Sequence, residues 1–142
     1  MSNTTRRFLM AAAGGKKSTY AEDVFSTYLF TGNAGTQAIN NGIDLAGEGG
    51  LVWTKNRTSA FNHFLYDTER GVQKYLISDS TIDQQDVSTS LTAFNSNGFT
   101  LGANDYGNIT NGNRAASWSF RKAKGFFDVV TYTGNGSNRT IA

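Results

Sequence analysis

The chain has no cysteine, no proline, a single histidine, and no stretch near the ~20 consecutive apolar residues of a membrane-spanning helix. Without cysteine there is no disulfide framework, thiolate metal site or cysteine nucleophile. The lone histidine, His63, leaves Ser-His-Asp chemistry one possible base, and it sits in a strand-like run with no nucleophile-elbow sequence. Charge is also scarce. Thirteen basic residues against eleven acidic ones leave a net +2, too little to make nucleic acid the expected partner. Arg6, Arg7, Lys16 and Lys17 all precede the first acid, Glu22, so the rest of the chain is about neutral. No metal, cofactor or membrane insertion is expected.

What is abundant is glycine, aromatics, Thr, Ser and Asn: 16 Gly, 10 Phe and 6 Tyr in 142 residues. Aromatic and β-branched residues favour strands, and Gly and Asn tolerate the positive φ of tight turns. Short apolar runs at 24–31, 51–56, 63–67, 74–78, 91–95, 100–102, 115–121 and 127–133 are predicted strands. Gly32-Asn33, Asn41-Gly42, Asn97-Gly98, Asn111-Gly112 and Asn135-Gly136 punctuate them. The spacing predicts one all-β domain, a β-sandwich or jelly roll, preceded by an extended N-terminal arm. Residues 80–88 read as a helical turn or long loop. Within 115–121, Ala115, Ser117, Ser119 and Arg121 alternate with Ala116, Trp118 and Phe120. The bulky set is expected to be buried and the small polar set exposed, and Trp53 and Trp118 are expected core residues.

The arm is residues 1–19. Its TRRFLM resembles the start of a twin-arginine export signal, but the apolar run from Phe8 to Ala13 is short and is stopped by Lys16 and Lys17. It reads instead as a docking peg: Arg6 and Arg7 supply charge, Phe8, Leu9 and Met10 supply apolar anchors, and Gly14 and Gly15 act as a hinge.

An internal repeat brackets the domain. VFSTYLFTGNAGTQAIN (24–40) aligns without gaps on FFDVVTYTGNGSNRTIA (126–142), with five identities in seventeen positions. The expected organisation is therefore a sandwich at 20–125 followed by the first strand of a second, related module at 126–142, in a chain that continues.

The blocks VFSTYLFTGN, NNGIDLAGEGGLVWTKNR, YDTERGVQKYL, LTAFNSNGFTLG and SWSFRKAKGFFDVVTYTGNG resemble a repeated module of tail-fibre and virion structural proteins of marine bacteriophages, including cyanophages. The resemblance covers 20–142. Two positions depart from it: Thr54 stands where an apolar residue is more usual, and Lys124 where a Pro is frequent. The resemblance implies a concanavalin-like sandwich in a non-enzymatic virion protein. The corresponding expectation is the N-terminal anchoring region of a tail fibre, docking onto a tail adaptor, nozzle or portal-proximal protein through the arm. Fibres in general imply a homotrimer, made in the host cytoplasm and located in the virion tail. A capsid decoration or appendage protein is the alternative of the same class.

A carbohydrate-binding module for host adsorption is the alternative of another class. In the loop NDYGNITNGN, Tyr106 offers a face for a sugar ring, and Asn104, Asp105, Asn108 and Asn111 offer hydrogen bonds to a host-surface glycan. Asp44, Glu48, Asp67 and Glu69 could supply a glycosidase carboxylate pair, but Asp67 and Glu69 read more simply as turn residues beside Arg70. The Gly-rich AGEGG lacks the context of a phosphate loop.

Overall fold

The computed structural model describes residues 19–103, 105, 108 and 110–141. The proposed docking residues Arg6, Arg7, Phe8, Leu9 and Met10, and Asn104 and Tyr106 of the glycan candidate, lie outside them. A one-turn helix α1 (Ala21–Val24) leads into β1 (Phe25–Thr31) and β2 (Gln37–Asn40), then a second short helix α2 (Leu45–Glu48). There follow β3 (Gly50–Asn56), β4 (His63–Asp67), β5 (Lys74–Ile77), β6 (Gln85–Asp86), β7 (Leu91–Asn95), β8 (Gly98–Leu101) and β9 (Arg114–Arg121). They form an all-β sandwich: a six-stranded antiparallel sheet β1-β9-β3-β4-β5-β6 over a three-stranded sheet β2-β8-β7.

Strand period decides what is inside. From β3 and β4 the inward row is Val52, Thr54, Asn56, Phe64 and Tyr66; β1 adds Phe30, β5 adds Tyr75, and the small sheet answers with Ile39, Leu91, Phe99 and Leu101. Tyr75 packs edge-on against both Phe64 and Tyr66, at centroid distances of 5.1 and 5.5 Å. The β7–β8 hairpin depends on Gly98, at φ +137°: a side chain there would meet the Ile39 carbonyl at 1.9 Å.

Strands 63–67 and 91–95 stand at the expected bounds, and five others are within two residues of them. Three expectations are corrected. First, β9 faces the other way: Ala115, Ser117 and Ser119 are buried, while Trp118 and Phe120 are half-buried on the outer face. The reason is crowding beneath β9, where the Asn41 amide closes to 2.8 Å from the Ser119 hydroxyl. Only small side chains fit there. Second, Trp53 pairs with Trp118 across the sheet and shares that outer face, so neither indole is in the core. Third, residues 127–133 form no strand; their ladder is limited to a single bridge between Ala123 and Phe127. Residues 80–88 are mostly loop, carrying the two-residue β6.

Candidate functional site

Two features of the described residues stand apart from the sandwich's hydrophobic core, one on its surface and one buried. The first is the outer face of the six-stranded sheet. The β1–β9–β3–β4 register lines up Phe25 with Phe120, and Trp118 with Trp53 and then Leu65. Ring centroids lie 5.0 Å apart for Phe25 and Phe120, 5.3 Å for Phe120 and Phe127, and 5.4 Å for Trp53 and Trp118. His63 extends this row, its Nδ1 accepting a 3.1 Å hydrogen bond from the Trp53 indole N–H. That bond ties the only histidine to an indole. The same strand's backbone N–H of His63 donates to Asp79, which holds that carboxyl below its ordinary range. The bordering edge strand, β1, has no charged residue in its seven and runs unbulged along β9, with Tyr28 and Leu29 exposed. The sheet's opposite edge, β6, is two residues long.

The second feature lies under the loop that follows β8. Tyr66, fully buried, donates its phenol to the Asp105 carboxylate at 2.7 Å. Burial, reinforced by the charge of Asp105, pushes the phenol well above its usual range. Asn108 is equally buried and acts as a clamp on the turn between β1 and β2. Its Oδ1 accepts from the Asn33 N–H at 2.8 Å, its carbonyl accepts from the Ala34 N–H at 2.9 Å, and its amide donates to the Gly35 and Gly102 carbonyls. Asn113 completes the clamp by accepting from the Gly32 N–H at 2.8 Å.

Asp105 and Asn108 were expected to present hydrogen-bonding groups to a sugar from an exposed loop. The structure turns both inward: each is fully buried and committed to bonds inside the protein, while Asn111 is exposed. A polar loop sequence is compatible with either position, because Asn and Asp serve equally as exposed turn residues and as partners for buried backbone groups.

The four carboxylates weighed for glycoside hydrolysis have structural partners. Asp44 caps α2 by accepting from the Gly47 N–H at 2.8 Å, and Glu48 lies 3.6 Å from Arg121. Asp67 is buried and pairs with Arg70, and Glu69 lies 2.8 Å from Lys122, which also reaches Asp128 at 3.1 Å. Among the described residues no cluster of three or more His, Asp or Glu could hold a metal, and no helix is long and apolar enough to cross a membrane.

Residues 20–142 match the model of a family described as a domain of unknown function, DUF7483. The chain belongs to this family. The DUF7483 match begins at Tyr20, the N-cap of α1, and takes in both the sandwich and the second copy of the repeat. No curated protein and no solved structure matches the chain.

Proposed function

We propose that the protein is a non-enzymatic structural protein of a phage virion, the N-terminal anchoring region of a tail fibre. The observation that carries this reading is the outer face of the six-stranded sheet, where Phe25, Phe120, Trp118 and Trp53 form a half-exposed aromatic surface beside an uncharged edge strand. Surfaces of this composition mark protein association, and its self-similar, neutral character suits a second copy of the chain, as in a homotrimeric fibre. The resemblance of the blocks across 20–142 to fibre modules supports the same reading. The basic and apolar residues Arg6, Arg7, Phe8, Leu9 and Met10 supply the docking peg for the tail machinery.

Deleting residues 2–17 tests the anchoring role. The truncated protein is expected to fold and to be absent from purified particles. Incorporation at the full level would show that docking does not use the arm. Locating the chain's density in particle images separates a tail position from a capsid one.

A further inference from the structure

The two copies of the repeat share more than sequence. In the first, the Asn33 side chain accepts from the Gly35 N–H at 2.8 Å; in the second, Asn135 accepts from the Ser137 N–H at 3.0 Å. The residue after each Asn is left-handed, Ala34 at φ 57° and Gly136 at φ 72°. Gln37 reaches back to the Thr31 carbonyl at 2.9 Å, and the aligned Arg139 reaches back to the aligned Thr133 carbonyl. Phe25 and the aligned Phe127 stack on the same ring, Phe120. The second copy thus has the turn of the first, without its sheet.

What differs is burial. Phe30 and Ile39, which β1 and β2 insert into the core, are 9% and 3% exposed; their counterparts Tyr132 and Ile141 are 63% and 42% exposed. Large side chains, one aromatic and one aliphatic, are kept at the two core-forming positions although no sheet buries them. The preceding Val129, Val130 and Thr131 are β-branched, suited to a ladder they do not make.

We propose that residues 126–141 are a second β1–β2 unit, able to take the slot that β9, β8 and the Asn108 clamp offer to the first. The clamp does not discriminate between the two copies. Every contact that Asn108 and Asn113 make with the turn is to backbone N–H or C=O of Gly32, Asn33, Ala34 and Gly35, groups that Gly134 to Ser137 also carry. Gly136 suits the left-handed position better than Ala34 does. The segment leaves β9 through residues 122–126 and already lies against Phe120, so its own sandwich is within reach; Phe127 must move from opposite Ala123 to opposite Phe120, where Phe25 now stands. Occupation by the second unit releases β1, β2 and everything N-terminal to them from the sheets. The slot is therefore a strand-accepting site with two claimants on one chain.

The test empties the slot and asks what fills it. Phe30→Asp with Ile39→Asp disables the first unit. In that background Ala116→Cys and Thr131→Cys place a thiol pair that meets only after exchange, since Thr131 then stands where Leu29 pairs with Ala116. The chain has no other cysteine. The expected result is an intramolecular 116–131 disulfide, found by peptide mass spectrometry in dilute protein, with native near-UV dichroism; adding Tyr132→Asp and Ile141→Asp abolishes both. Absence of the cross-link overturns the proposal, whether the variant is folded or not, and a cross-link found only between two molecules overturns exchange within the chain.

Discussion

The two faces of the six-stranded sheet invert the usual division of labour. Inside, β3 and β9 place Thr54, Asn56, Ser117 and Ser119 beside Val52 and Ala115; outside, they place Trp53, Trp118 and Phe120. Two of these four polar side chains are hydrogen-bonded: Asn56 accepts from the Thr58 and Ser59 N–H groups, and Ser119 from Asn41. The interior packs these polar groups beside an aliphatic, phenylalanine and tyrosine core, and both tryptophans stand on the outer face. Burial of polar groups stabilises only when they are bonded, so the inner face should be far less tolerant of substitution than the outer one.

The largest effect is expected at Asn108. Asn108→Leu strands the Asn33 N–H and the Gly35 and Gly102 carbonyls, and should cost roughly 3–5 kcal/mol in urea unfolding, about 1–3 kcal/mol for the buried Gly102 carbonyl and about 1 kcal/mol for each of the two part-buried bonds. A loss under ~1 kcal/mol would mean that the clamp does not hold the β1–β2 turn. Tyr66→Phe comes next. It removes the phenol donor from the buried Asp105 carboxylate, with an expected loss of about 2–3 kcal/mol. The folded state raises the Tyr66 pKa, so its contribution is complete below the ordinary value of 10.0 and is lost as pH rises above it. The wild-type protein should weaken in that alkaline window, and Tyr66→Phe should lack this component.

On the outer face, Trp118→Ala should cost only about 1–2 kcal/mol, well below the 3–5 kcal/mol of a core tryptophan. A core-sized loss would break the contrast between the faces. The smallest effect reverses sign. The hydroxyls of Thr54 and Ser117 are buried with no hydrogen-bond partner among the described residues. Thr54→Val keeps the shape and removes the orphan, so thermal unfolding should show a gain of up to ~1 kcal/mol.

How much of this could be read beforehand follows from what each signal measures. Alternation and Asn-Gly turns located most strands, because both are local. β2 escaped: Gln37, Ala38, Ile39 and Asn40 carry one large apolar residue, and the strand exists because β8 and the Asn108 clamp hold it. Alternation in β9 separated the two faces correctly and could not say which was covered, since that depends on Asn41 arriving from a distant loop. Asp105 and Asn108 looked like loop surface because their partners, Tyr66 and the β1–β2 turn, are 39 and up to 75 residues away. The repeated Thr-Gly-Asn was the one sequence signal that led toward the clamp, as it marks the turn that the clamp holds.

The unequal edges of the larger sheet limit the assemblies it can build. A strand of seven uncharged residues at one side and a pair of residues at the other leave a single border open to further pairing. Two molecules that join along β1 use up both open borders, and growth by that route halts at a closed pair. A larger or threefold arrangement that uses this sheet has to be built through its flat face, across the tryptophans.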